Sequence, residues 1–255
     1  MKFSAASLAS VCLAVMSFAA MNLAAQPAPA AELKVLAGGS LTTALKDLGP
    51  RFEKATGHKL DITFAATPQL IQMATSAPFD LGVVPVDVVK NDAARAKFAG
   101  TPFDVVRVGY GVAVRAGAPK PDVGTPDKLK AALLQAKSIA YIPSSAAGAY
   151  VTKVFERLGI AGEMKAKTKV QTATGGIPQA VASGEAELGV FLTNVLTAPG
   201  VELAGPFPGD LQHDLVFVGG VSADSKEAGP AKAFLDYLKS PEAIALFKAK
   251  GLTPG

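Results

Sequence analysis

Cysteine occurs once in this chain, at Cys12, and Cys12 lies in a stretch that reads as a removable leader. Lys2 precedes an apolar run from about Ala5 to Ala20, and "AAQPAPAAEL" then offers a small-residue exit at Ala28-Pro29-Ala30. A positive start, a short apolar run and such an exit mark a secretory signal peptide. The run is shorter than the ~20 residues of a membrane span. Val11 before Cys12 and the lack of a mature-start pattern argue against a lipid anchor there. Residues 1–30 are therefore assigned to a signal peptide, and the chain from Ala31 onward has no cysteine. Disulfides, thiol catalysis and cysteine–metal sites are excluded from it, and the expected location is the periplasm.

Histidine is nearly as scarce. His58, in "ATGHKLD", and His213, in "LQHDL", both sit among polar residues before a strand and read as surface groups rather than catalytic bases. No His/Asp/Glu cluster has metal-ligand spacing. There is no G-x-x-x-x-G-K-[ST] phosphate loop, and "GYGVAV" is not a dinucleotide fingerprint, so no cofactor is expected. Charge of one sign is lacking too. The chain has 25 Lys+Arg and 21 Asp+Glu, and beyond the leader 24 basic residues face 21 acidic ones, a net charge of +3. The basic residues form no arginine cluster and no interleaving with aromatics, so nucleic acid is not an expected partner. The run "EMKAKTKV" (163–170) reads as a solvated helix end and strand entry. A mild positive field favours a small anionic ligand. No segment beyond the leader is long and apolar enough to span a membrane.

What is present is an alternation of strands and helices. "LKVLA" (33–37) predicts a strand, and Leu41, Ala44, Leu45, Leu48, Phe52 and Ala55 then recur at helical spacing. Gly49-Pro50 should kink or split that helix. "KLDITF" (59–64) is a second strand, "ATPQLIQMAT" opens a helix with Pro68 in its first turn, and "FDLGVVP" (79–85) is a third strand before a helix from Asp87 to about Phe98. This βαβαβ order predicts a parallel sheet flanked by helices. "DVVRVGYGVAVRAGAP" (104–119) predicts one long extended run, suited to connecting two lobes, before the turn-rich "AGAPKPDVGTPD". "SIAYI", "KVQTA" and "AELGVFL" are strands of a second half. "AAGAYVTKVFERLG", stopped at Gly159, and "IPQAVASG" are its helices. "DLVFVGGVSA" (214–223) reads as a return strand, and the end as two amphipathic helices split at Ser240-Pro241.

Small, hydroxyl-rich turns recur at the strand ends. Gly38-Gly39-Ser40 enters the first helix through Leu41. Thr67 precedes Pro68. Ser144-Ser145 leads into Ala146-Ala147-Gly148. Gly175-Gly176 leads into Ile177-Pro178, and Thr193-Asn194 follows the "LGVFL" strand. The first N–H groups of a helix lack internal partners and carry partial positive charge, so such turns seat anions without a charged side chain. Plain N-capping is the competing reading of each serine. Ser40 lacks the G-x-S-x-G context of a nucleophile elbow. Arg107 and Arg115, on the small-residue face of the 104–119 run, are the cationic candidates for gripping a carboxylate.

Four stretches carry a family resemblance that covers essentially all of the chain from Ala31. "GGSLTTALKDLGPRFEKATGHKL", "PSSAAGAYVTKVFERLGI" and "QAVASGEAELGVFLTN" resemble the periplasmic molybdate-binding proteins of ABC importers. "PAKAFLDYLKSPEAIALFKAKG" is similar to the closing helices of type II solute-binding proteins more widely. The resemblance implies two α/β lobes, each a mainly parallel sheet flanked by helices, joined by crossover strands and closing on a ligand. Residues 31–113 and 214–255 are assigned to lobe 1 and 114–213 to lobe 2. It also implies a monomer that binds a small anion and docks on an ABC permease.

By motif match the anion would meet Ser40, Thr67, the backbone at Ala146 or Ala147 and another contribution near Ile177; with the neighbouring strand-end turns the candidate set is Gly39, Ser40, Leu41, Thr67, Ser145, Ala146, Ala147, Gly148, Gly176, Ile177, Thr193 and Asn194. Thr67 stands where the family usually has serine, and Phe191 where it has tyrosine. A lost hydroxyl donor changes anion specificity, roughly by 1–3 kcal/mol. The expected ligand is a small anion, either a molybdate-like oxyanion or a larger organic carboxylate for which the altered positions leave room. Relatives of this family include an isomerase acting on aconitate, and the resemblance leaves capture and isomerisation both open.

Overall fold

The computed structural model describes residues 30–255. Apart from Ala30, the expected leader and Cys12 lie outside the described residues. β1 (Glu32–Gly38) runs through a 3-10 turn at Gly39–Leu41 into α1 (Thr42–Thr56). β2 (Lys59–Ala65), α2 (Thr67–Ser76) and β3 (Leu81–Pro85) follow, then two one-turn helices, α3 (Val86–Val89) and α4 (Asp92–Arg95). β4 (Phe103–Val108) and β5 (Tyr110–Arg115) lead to α5 (Pro126–Gln135), β6 (Ile139–Tyr141), α6 (Ala146–Arg157) and α7 (Ala161–Lys167). β7 (Thr168–Val170), α8 (Gly176–Ser183), β8 (Leu188–Leu192) and β9 (Val201–Pro206) complete the second half. β10 (Leu215–Val221), α9 (Ala228–Tyr237), α10 (Pro241–Ala249) and β11 (Thr253–Pro254) return to the first. Among the described residues, no helix is long and apolar enough to cross a membrane.

Two sheets result. The first has the order β11-β4-β10-β3-β1-β2 and the second β7-β6-β8-β5-β9. Both are mixed rather than mainly parallel. β1 is parallel to β2 and β3, and β6 to β7 and β8, but β10 and β5 run antiparallel to both of their neighbours. The reversal comes from the crossover: a strand that enters a sheet from the other lobe arrives from the opposite end.

The α1 stripe behaves as its spacing predicts, with Ala44, Leu45, Leu48 and Phe52 buried, though Ala55 is exposed. The helix is not split at Pro50. Pro50 lies on the exposed face, as does Lys46, whose carbonyl loses its N–H donor four residues on; water can satisfy that oxygen there. β1 alternates between two cores. Leu33, Val35 and Ala37 point to the large core shared with α1, while Leu36 points to a smaller one under α2–α4 with Leu70, Phe79, Val84 and Phe98. Burying each large apolar side chain contributes roughly 1.5–3 kcal/mol.

Three expectations need correction. The helix expected from Asp87 to Phe98 breaks into α3 and α4, because Asn91 adopts extended geometry and its side chain caps Ala94 N at 3.0 Å, restarting the helix. The turn-rich reading of the stretch to Asp127 gives way at Thr125, whose hydroxyl accepts from Lys128 N at 3.2 Å and caps α5. The long run over 104–119 is two strands in two sheets, broken at Gly109. There the Tyr110 N–H donates to Gln212 Oε1 at 2.8 Å and Gln212 Nε2 donates to the Tyr110 carbonyl at 2.9 Å. The Gln212 amide thus stands in for a neighbouring strand at the switch point. A Cβ on Gly109 would lie 3.1 Å from that amide, so glycine permits the approach. Residues 110–113, placed in lobe 1 on sequence, therefore pair within the second sheet, and the return crossing falls between Pro206 and Leu215.

Candidate ligand-binding cleft

The loops at the carboxyl ends of β1, β2, β6 and β8 face one another across a cavity of about 760 Å³ between the sheets. From one side its wall takes Gly39, Ser40, Thr42 and Thr43 at the start of α1, then Phe64 and Thr67. From the other come Ser145, Ala146 and Ala147, then Thr172, Thr174, Phe191 and Asn194. Gly38 is required locally: a Cβ there would sit 2.5 Å from the Phe217 ring, which forms part of the wall.

Hydrogen bonds already tie the lobes across this cavity. The α6 N–H of Ala146 donates to Thr67 Oγ1 at 3.2 Å, Thr174 Oγ1 donates to the Gly39 carbonyl at 3.1 Å, and Asn194 Nδ2 donates to the Ser40 carbonyl at 2.7 Å. Asn194 Oδ1 is buried without a partner among the described residues.

The serines separate into two kinds. Ser145 is a helix cap with both capacities used: its hydroxyl donates to the Ile142 carbonyl at 2.9 Å and accepts from Gly148 N at 3.0 Å. Ser40 is not a cap. No side-chain cap bond closes its turn, and its hydroxyl lines the cavity with no partner among the described residues. The Thr67 hydroxyl accepts from Ala146 and keeps its own proton for another acceptor. The Ala147 N–H, in the first turn of α6, also has no acceptor among the described residues.

Of the sequence-derived candidates, Gly39, Ser40, Thr67, Ser145, Ala146, Ala147 and Asn194 line the cavity. Leu41, Gly148, Gly176, Ile177 and Thr193 are not on its wall. Leu41 and Ile177 are core side chains. Gly148 packs so tightly that a Cβ would lie 1.7 Å from the Ile142 oxygen. The first N–H groups of α8 are used locally, Gly176 on Ala173 O and Ile177 on Thr174 O, so this helix start presents no free donors there. Thr193 gives its N–H to Gly109 O at 2.9 Å, in the crossover.

The two arginines also lie off the wall: Arg107 pairs with Asp104 at 3.6 Å, and Arg115 is exposed at the end of β5. His58 Nδ1 accepts from Ala31 N at 3.1 Å, and His213 is exposed against the Tyr150 ring. Among the described residues, no group of three or more His, Cys, Asp or Glu side chains is placed to hold a metal.

Sequence reasoning missed the apolar part of the wall, Phe64, Pro85 and Phe217, and it missed Lys250. Among the described residues, Lys250 is the only titratable side chain on the wall, and its Nζ pairs with Asp47 at 2.7 Å. Lys250 follows α10, where the local pattern is that of an ordinary amphipathic helix end, so nothing near it signals a cleft.

Comparison with known proteins fits this architecture. The profile of the bacterial extracellular solute-binding protein family matches residues 33–253. The chain belongs to that family. Its relatives include an aconitate isomerase from Pseudomonas sp, 32% identical over 255 residues, covering 95% of this chain and 97% of that protein. The molybdate-binding protein ModA of Azotobacter vinelandii is 31% identical over 240 residues, covering 90% of this chain and 93% of that one. Among solved structures, the Azotobacter vinelandii periplasmic molybdate-binding protein superposes with a TM-score of 0.72 at 22% identity, covering 88% of this chain and 99% of that one. The sulfate-binding protein SubI of Mycobacterium tuberculosis H37Rv gives 0.68 at 16%, covering 88% and 87%. These structural likenesses speak to the fold alone.

Proposed function

We propose that this solute-binding protein, processed at Ala30 and released into the periplasm as a monomer, captures a small anion between its lobes. It then delivers that anion to an ABC importer. The observation that carries this reading is the convergence of three uncommitted donors on one cavity: the hydroxyls of Ser40 and Thr67 and the N–H of Ala147. Donors without acceptors, two from one lobe and one from the other, suit an anion that completes the closure. Hinge closure would turn about Gly109 and the 207–214 return, with Gln212 clipping the two crossings together. The molybdate-binding relatives support this class of function.

A second reading, isomerisation of an unsaturated tricarboxylate, is favoured by the full-length likeness to the aconitate isomerase. It needs a base beside the substrate's acidic C–H. Lys250 is the only titratable group on the described wall, and its ion pair with Asp47 suits a cation better than a base. Capture therefore ranks first.

The test is thermal unfolding of the protein from Ala31 with molybdate, tungstate, sulfate and phosphate, and separately with cis-aconitate, trans-aconitate and citrate. A true ligand at about 100 times its dissociation constant stabilises by ~2.7 kcal/mol. If no anion moves the midpoint, the proposal fails. Interconversion of the two aconitates, followed by proton NMR, would promote the second reading above the first.

A further inference from the structure

Resting on that reading, we infer that Lys250 anchors a second carboxylate, so that the cleft takes a di- or tricarboxylate with an apolar carbon frame rather than one tetrahedral oxyanion. Three observations lead there. The first is size. A tetrahedral oxyanion fills only a small part of about 760 Å³, and it would leave much of the wall without work. The second is the character of that wall. Beyond the hydroxyl-bearing turns it is built by Phe64, Phe191, Phe217 and Pro85, which suit carbon, not bare oxyanion oxygens.

The third is where the one cationic residue among the described residues of the wall stands. Lys250 caps the carboxyl end of α10, a place the helix dipole favours for a positive charge. Its partner Asp47 lies four residues beyond Thr43 on α1, on the same helix face, and Thr43 is on the cavity wall. The ammonium is therefore held beside the first turns of α1, near the Ser40 loop yet apart from it. An ammonium has three donors and Asp47 uses one. The pair is not sealed, since the Lys250 side chain is 35% exposed and Asp47 44%. A ligand with one carboxylate on Ser40, Thr67 and Ala147 can present another to the remaining Lys250 hydrogens. The plain alternative is an interhelix ion pair, which at such exposure contributes about 0–1 kcal/mol and has no bearing on ligands.

Isothermal titration of the processed protein with trans-aconitate, crotonate and molybdate separates the two. Trans-aconitate should bind the wild type. Lys250→Met should weaken it about ten- to a hundredfold, the loss expected of a charge-assisted contact. Crotonate, with a single carboxylate, should be indifferent to Lys250→Met. Lys250→Arg should hold trans-aconitate within about threefold, and Asp47→Asn should bind it at least as tightly as the wild type. The inference is overturned if Lys250→Met binds trans-aconitate as the wild type does. It is overturned equally if Asp47→Asn weakens binding as Lys250→Met does, which would mean the ion pair acts only through structure. Wild-type protein that binds molybdate but no polycarboxylate would overturn the inference and leave anion capture standing. Protein that binds neither class would remove both.

Discussion

Ser40 and Ser145 look alike in sequence, each a small polar residue between a strand and a helix. Only the folded chain separates them. Ser145 spends its hydroxyl on Ile142 and Gly148, whereas the Ser40 hydroxyl is uncommitted among the described residues. Ser145→Ala should thus cost about 1 kcal/mol of stability in denaturant unfolding, the ordinary loss of a cap. Ser40→Ala should change the ligand-free protein by less than ~0.5 kcal/mol but reduce the ligand-induced rise in melting midpoint. A Ser40→Ala protein that keeps the full ligand-induced rise would take Ser40 out of the seat.

Tyr110 is a second residue whose behaviour follows from its surroundings. Burial, with smaller contributions from Asp87, Tyr150 and Asp214, pushes its phenol well above the ordinary tyrosine value. The folded protein then keeps a proton that the unfolded chain releases above pH ~10. That contribution to stability is whole below pH ~10 and is lost as pH rises toward the folded-state value. Urea midpoints measured from pH 8 upward should fall beyond pH ~10, and fall less in Tyr110→Phe.

At the scale of elements, local pattern did well where burial follows a period and less well where a side chain from elsewhere intervenes. The α1 stripe, β1 to β3 and the closing pair α9 and α10 were legible because apolar spacing is a local property. The break between α3 and α4 and the start of α5 rest on single capping residues, Asn91 and Thr125, which the apolar period does not register. The α6 entry depends on a close approach that the Ala-Ala-Gly string only hints at. Gly148→Ala would force its methyl onto the Ile142 carbonyl, so we expect a loss of at least ~2 kcal/mol in chemical denaturation. A near-neutral Gly148→Ala would show that the β6–α6 turn can relax.

For the whole molecule, the decisive contacts join residues far apart in the chain. Gln212 and Tyr110 are 102 positions apart, Asn194 and Ser40 154, and Thr67 and Ala146 79. Gln212→Ala leaves the Tyr110 N–H unpaired at the crossover, while the Tyr110 carbonyl keeps the Phe207 N–H at 2.9 Å. It should cost about 1–3 kcal/mol, and small-angle scattering should find the ligand-free protein more open than the wild type. Unchanged scattering and stability in that variant would place the hinge elsewhere. Lys250 belongs to this scale too: it reaches the cleft because α10 packs on α1, a contact between the two ends of the chain.

The alternation of strands and helices, the positions of most of them, and the class of residue at each strand end were already written in the order of residues. Periodicity and turn chemistry act over a few residues, so a short stretch carries them whole. The rest came with the packed fold. It made the sheets mixed, broke the crossover at Gly109, and consumed Ser145 and the α8 N-terminus in local bonds. It brought Ser40, Thr67 and Ala147 onto the wall of one cavity, and it added Lys250 and the aromatic wall from distant elements. Those outcomes depend on which donor meets which acceptor across the fold, and no short stretch of the chain contains both partners.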